Sequence, residues 1–467
     1  MAQNFLACDR DQELLLPPSV REWLPEDHFA WFVLDAVEDM DLAGFYAAYR
    51  ADGHGRAAHD PGMMVALLLY TYARGQRSSR GIERGCIEDV AYRVIAANRV
   101  PDHCTIARFR QRHQDALAGL FSEVLELCAR AGLVHAEVIA VDGTKVHANA
   151  SEHANRDYEQ LAKEILEEAE ETDRLEDEQF GERRGDELPP ELSTAQGRRG
   201  WLREAKRQLE EERAKEARPI PASRPARVKE AKRRLEEELF TECRANTAYE
   251  AYRARGVMSD GRRFGARPTP YTPPEVPAGK VNLTDPDSRN VKTPRGYMQG
   301  YNAQAVVTQG QIVIAAEVNN VSSDFGQLAP MITSALGELA GAGVADAPKV
   351  ALADAGYWHH QQMDALVDRG VQVLIPPDAG KRRTPRPGWD GGRYAFMRHV
   401  LASEAGGALY SRRQGMIEPV FADTKFNRRI DRFQRRGRAA CRSEWRLITA
   451  THNLLKLHRH QNALAPA

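Results

Sequence analysis

Two short apolar runs, each closed by an aspartate, constrain this chain more than anything else in it. Val138-Ile139-Ala140-Val141 leads into Asp142-Gly143-Thr144, and Val350-Ala351-Leu352-Ala353 leads into Asp354-Ala355-Gly356-Tyr357. A short apolar run bounded by small, turn-forming residues reads as a buried strand. Each carboxylate should therefore sit at a sheet's end, where small residues let backbone approach a ligand. Two acids on neighbouring strand ends repel and raise each other's pKa unless positive charge lies between them. Hard oxygen donors select Mg²⁺ or Mn²⁺, and a pair of ions roughly 3.5–4 Å apart activates water and stabilises a leaving oxygen in phosphodiester displacement. An acid after a strand can equally be a turn residue or a helix cap.

Around these strands the chain divides by period and charge. Helical periodicity runs from Leu16 to about Gly132, with Met64, Leu67, Leu68 and Thr71 on one face and Ile106, Phe109, His113, Leu117, Leu120, Val124 and Cys128 on another. Pro61 suits a helix start, and Thr105 is a possible cap for a later one. Residues 1–135 thus form an all-α domain. Residues 151–240 hold 25 Asp+Glu and 19 Lys+Arg, a net of −6, too polar for a core of their own. Leu202, Leu209, Leu235 and Leu239 are sparse apolar rungs on exposed helices there, and 267–277 is a Pro-rich linker. The whole of 151–290 reads as an insertion. Residues 136–150 and 291–460 then form one α/β domain, a mixed sheet flanked by helices. Its later elements are a hairpin (303–308 and 312–318), a helix (325–339), the strand ending at Asp354, a helix (361–369) and a strand (371–376).

Net charge nominates no partner, because 65 Lys+Arg stand against 66 Asp+Glu. The segregation is local. Between 411 and 460 there are 13 Lys+Arg and 4 Asp+Glu. Six cysteines without CxxC spacing argue for free, buried thiols in a reducing compartment. No signal segment is legible and the longest near-apolar stretch, 63–73, is too short to span a bilayer, so a soluble intracellular protein with no membrane partner is expected. A two-ion site usually has a third carboxylate, and the basic region offers Glu404, Glu418, Asp423, Asp431 and Glu444. Glu418 stands out because Lys425 lies two helical turns on, although an ordinary surface acid is the plain alternative.

In this order the motifs resemble the DDE transposases of bacterial insertion sequences, specifically the IS1182 group related to IS5 and IS4 elements. The resemblance rests on His59-Asp60-Pro61-Gly62-Met63, Ser78-Ser79-Arg80-Gly81-Ile82-Glu83 and 101–110 in the helical part. In the α/β part it rests on Val141-Asp142-Gly143-Thr144, Gly300-Tyr301-Asn302-Ala303-Gln304, Ala353-Asp354-Ala355-Gly356-Tyr357 and the series Tyr410, Arg413, Glu418, Lys425. Four residues separate Arg413 from Glu418 where the family pattern usually has three, which leaves Arg412 as a competitor for the arginine role.

The resemblance implies a ribonuclease-H-like catalytic domain and a metal-binding triad of Asp142, Asp354 and Glu418 holding two Mg²⁺ or Mn²⁺ ions. Tyr410, Arg413 and Lys425 are then accessory groups for DNA phosphates. The implied reaction cuts a phosphodiester at the element's end and drives the freed 3′-hydroxyl into target DNA. Double-stranded DNA is the implied partner, a homodimer the implied active complex, and the cytoplasm, at the nucleoid, the implied location. Arg108, Arg110, Gln111 and Arg112 would form a DNA-reading helix, or else solvate a packed helix. The run containing Arg428, Arg429 and Arg432, with Phe426 and Phe433 as anchors, suits a phosphate track. The rivals are a metal-dependent nuclease of the same fold and a catalytically silent DNA-binding derivative.

Overall fold

A computed structural model describes residues 22–49, 58–180, 220–221, 223–257, 268–293, 296–378, 389 and 391–464. The expected helix over Trp201–Arg218, with Leu202 and Leu209, lies outside the described residues. The N-terminal part is helical as expected: α1 (Phe29–Glu38), α2 (Ala43–Tyr46), α3 (Pro61–Ala73), α4 (Ser79–Glu88), α5 (Val90–Ile95), α6 (His103–Arg112) and α7 (Gln114–Arg130). Pro61 opens α3, where its missing N–H costs nothing, and Asp60 caps that helix by accepting from the Met63 N–H. α3 is buried nearly all round, which makes it the central helix of this layer. The cap of α6 is Asp102, one turn earlier than the Thr105 expected. Asp102 accepts from both the Thr105 N–H and its hydroxyl, and a carboxylate is the stronger cap acceptor.

β1 (Val138–His147) starts the sheet. The sheet continues with β4 (Arg289–Thr293), β5 (Gly296–Thr308), β6 (Val313–Asn319), β7 (Val350–Leu352) and β8 (Gln372–Leu374). β5 pairs antiparallel with β1, while β6 and β4 share its other edge. β7 joins β1 in parallel, and β8 joins β7 in parallel. The central strand order is therefore β6-β5-β1-β7-β8, with α10 (Leu328–Gly341) and α11 (His360–Val367) making the crossovers. The expected hairpin is present, but the residue with positive φ in its turn is Gln311 (φ 62°), not Gly310.

The charged segment does build a small core, contrary to expectation. β2 (Asn155–Asp157) pairs with β3 (Lys280–Asn282), and over this ribbon α8 (Tyr158–Phe180) packs on α9 (Arg224–Arg255). Leu161, Val228, Ala231, Leu235, Val281 and Leu283 are buried together there. Four helix residues, the strand residue Val281 and Leu283 just after it make this cluster, so a few apolar rungs suffice once a ribbon closes the helix pair. The chain ends with α12 (Gly392–Ala402), α13 (Glu404–Ala422), a π turn (Asp423–Asn427) and α14 (Arg438–Leu464). Of the cysteines described, Cys86, Cys128 and Cys441 are buried and unpaired, whereas Cys104 and Cys243 are exposed, against the expectation that all are buried. Among the described residues no helix is long and apolar enough to cross a membrane.

Candidate active site

Parallel pairing of β1 with β7 decides where the two aspartates lie. The register pairs Val138 with Val350 and Ala140 with Leu352, so the same offset, continued two residues past the end of β7, sets Asp354 beside Asp142 on β1. Neighbouring strands run about 4.8 Å apart, which brings the carboxylates into each other's field. Burial pushes the Asp142 carboxyl up to about 6; Arg413 beside it opposes the rise and Asp354 adds to it. Burial raises Asp354 as well, with Asp324 adding and Arg413 and Lys145 opposing. Two half-buried acids thus face each other with too little positive charge to hold both ionised at their ordinary pKa.

Backbone and helix contacts fix both groups. The Gly143 N–H donates to Asp142 Oδ1 (2.7 Å), and Arg413 Nη1 donates to Asp142 Oδ2 (2.8 Å). The Gly356 N–H donates to Asp354 Oδ1 (2.9 Å), so Asp354 caps the short 3-10 turn Ala355–Tyr357. Tyr410, one turn before Arg413 on α13, donates its hydroxyl to the Ala353 carbonyl (3.3 Å). Lys425 Nζ donates to the Lys145 carbonyl (2.8 Å) on β1. Tyr410, Arg413 and Lys425 are therefore brought to the acid pair or to the strand carrying it.

A third carboxylate near the pair is Asp324, which sequence reasoning missed. Its Oδ1 accepts from Asn302 Nδ2 and Gln304 Nε2, both at 2.7 Å, and pairs with Lys145 Nζ at 3.3 Å. Gln304 in turn accepts from the buried Tyr357 hydroxyl. Gly143 makes this arrangement possible, because a Cβ there would meet Asn302 Oδ1 and Asp324 Oδ1 at 2.7 Å and run into the Gln304 amide. The signal available in the sequence was Asn302 and Gln304 two apart on one strand face; linking them to a loop acid 20 residues on needs the hairpin register.

Glu418 is not gathered with the two aspartates. α13 turns Met416, Ile417 and Val420 inward, which leaves Glu418 exposed next to Pro419. Among the described residues no group of three His, Cys, Asp or Glu side chains stands close enough to hold a metal ion. Of the other late acids, Asp423 pairs with Arg428 (3.1 Å), Glu444 is buried against Arg77 (2.7 Å), and Glu404 and Asp431 are exposed.

The proposed DNA contacts divide. Arg110 is buried, donating to the Tyr72 hydroxyl (3.1 Å), the Arg77 carbonyl (2.7 Å) and Ser79 Oγ, so it braces α6 and does not face a duplex. Arg108, Gln111 and Arg112 are exposed. Arg428 is likewise internal, held by the Ile448 carbonyl, Thr451, Thr424 and Asp423, and so leaves the phosphate track. Arg429 and Arg432 are exposed. Phe433 is buried whereas Phe426 is 78% exposed, so only Phe433 anchors the loop.

Two family models match the chain: a Transposase domain (DUF772) over residues 18–112 and a Transposase DDE domain over residues 267–454. No curated protein and no solved structure matches it.

Proposed function

We propose that the chain, an insertion-sequence DDE transposase by its two matched domains, cuts a phosphodiester at each element end and joins the freed 3′-hydroxyl to target DNA. The observation that carries this reading is the level, half-buried pair Asp142 and Asp354, whose carboxyls are both driven up by burial. Hard, crowded oxygen donors short of positive charge fit a divalent cation. Asp142 and Asp354 would hold Mg²⁺ or Mn²⁺. Two such ions would supply a water of lowered pKa and charge stabilisation at the leaving oxygen. Arg413 keeps Asp142 oriented and its planar fork leaves donors for a phosphate oxygen. Tyr410 braces the strand end behind Asp354. Glu418 would complete the set as third ligand on DNA engagement, as the family resemblance implies.

The strand order and its two parallel additions support a ribonuclease-H-like sheet, and the residues at 59–63, 78–83 and 101–110 support the IS1182 group. One acid pair per chain against two element ends supports a homodimer as the acting species. The test is a duplex carrying the terminal repeat, incubated with Mg²⁺ and supercoiled target. Cleavage leaving a 3′-hydroxyl that joins to target is expected from the wild type, and Asp354→Asn should abolish both steps. Cleavage with no joining makes the protein a nuclease; activity surviving Asp354→Asn overturns the site.

A further inference from the structure

Between the N-terminal helices, the insertion and the C-terminal loop lies a cleft of about 750 Å³ in which, among the described residues, six arginines and no acid line the walls; Arg77 and Arg110 are buried in the floor and internally paired, which leaves Arg80, Arg227, Arg435 and Arg436 to face an occupant. Arg77, Arg80 and Arg110 come from the α3–α6 region, Arg435 and Arg436 from the loop before α14, and Arg227 from α9. The remaining polar lining is neutral or imidazole, from Ser78, Gln111 and Asn149 to His103. Glu83 pairs with His103 (2.9 Å) at the edge, and beneath the floor Glu444 is fully buried and spent on Arg77, on the Gln434 N–H (2.9 Å) and on the Arg435 N–H (3.0 Å). It fixes the walls while leaving the cleft's charge positive.

We infer that this cleft seats the phosphate backbone of the DNA flanking the cut site, and that the insertion serves as one jaw of the grip. The inference rests on the transposase reading and adds to it a location. Three observations converge. The cleft lies at the start of α4, where Ser78 caps the Gly81 N–H and the positive end of the helix dipole favours an anion. Arg227, half-buried on α9, brings a positive charge from the insertion to the cleft. Asn149, which donates to the Gln434 carbonyl and accepts from Arg436 Nε, follows the strand that carries Asp142. Seven residues of extended chain reach at most about 25 Å, or about seven base pairs at 3.4 Å each. A duplex whose scissile bond sits at Asp142 and Asp354 is long enough to lie in both places. The charge is built from three separate segments, as a groove that closes around a rod requires, and arginine is the residue suited to phosphate.

The assignment separates Gln111, which lines this cleft, from Arg108 and Arg112, which line another surface with Tyr49 and His59. Backbone contact is independent of sequence, so a fluorescein-labelled duplex of arbitrary sequence is the probe, titrated with the full chain at several salt concentrations. Arg80→Glu and Arg227→Glu should each weaken binding about tenfold or more, and the neutral Arg80→Ala should lower the salt slope by about one. Arg174→Glu, on the solvent face of α8, should leave binding unchanged. Melting curves matching the wild type confirm that the variants fold, and Arg80 is exposed enough for Arg80→Ala to do so. If the wild type binds this duplex and cuts one carrying the terminal repeat while all the cleft variants bind equally well, the cleft assignment falls and the transposase reading stands. If the wild type neither binds nor cuts any duplex, both fall.

Discussion

Asp142 carries an uncomfortable charge, and its discomfort is measurable. Its carboxyl is raised from 3.8 to about 6, chiefly by burial. A carboxyl whose folded-state pKa lies above the unfolded value favours folding in its protonated form; that contribution is full below about pH 4 and is lost as pH rises through about 6. Asp142→Asn removes the charge and keeps an oxygen for Arg413, so at neutral pH the metal-free variant should melt roughly a few degrees higher than the wild type while being inactive. At pH 4 the difference should vanish. A lower melting temperature at pH 7 for the variant would mean that Arg413 already satisfies the carboxylate. Gly143 makes the opposite prediction. Gly143→Ala forces a methyl against Gln304, Asn302 and Asp324, which should cost about 1–3 kcal/mol by denaturant titration and displace the Lys145–Asp324 pair.

At the scale of elements, helical phase separates structural arginines from exposed ones. Arg110 stands four residues after Ile106 and three before His113, on the apolar face the sequence already displays; its burial was legible there and a basic reading of the run overrode it. Arg428 follows Val420 and Thr424 at the same spacing and faces the same interior. Arg428→Met should therefore destabilise the fold by about 3 kcal/mol or more, since Asp423 loses its buried partner. Arg429→Asn, which keeps a residue tolerant of the left-handed backbone at φ 54°, should change stability little and weaken DNA binding. Equal stability losses would refute the distinction. The two apolar runs were legible as strands, and Asp354 does follow the end of β7, but Asp142, expected at a strand's end too, lies in the middle of β1, which stays paired with β5 to His147. Asp324 was not legible, because a loop acid acquires its neighbours only through the β5–β6 pairing. The inward phase of Met416, Ile417 and Val420 likewise left Glu418 outside a cluster that sequence order alone had drawn.

Across the whole molecule, α14 is the member that makes one body of the helical layer and the sheet. It packs on α7, α3 and β6; Asn453 both donates to and accepts from Val313, completing the backbone of that strand (2.8 Å each). Arg446 reaches the Ala118 carbonyl on α7 and Glu338 on α10. Arg77 and Glu444 tie the turn before α4 to the same helix, with the Glu444 side chain wholly buried. Glu444→Ala leaves Arg77 buried without its partner and two loop N–H groups unmet, a loss of about 3–5 kcal/mol. The denaturation midpoint should fall in one transition for both parts; two separate transitions would show that α14 does not couple them. The sequence displayed α14 as a basic helical stretch, and its role as the central strut was hidden because a helix apolar on several sides has no single stripe to read.

The central claim is that Asp142 and Asp354 share a divalent cation. Mn²⁺ titration of the full chain, followed by electron paramagnetic resonance, tests it without relying on catalysis. The wild type should bind Mn²⁺ at neutral pH and release it as pH falls through about 6, and Asp142→Asn and Asp354→Asn should each lose about tenfold or more in affinity. Undiminished Mn²⁺ binding by both variants, with no dependence on pH, would contradict it.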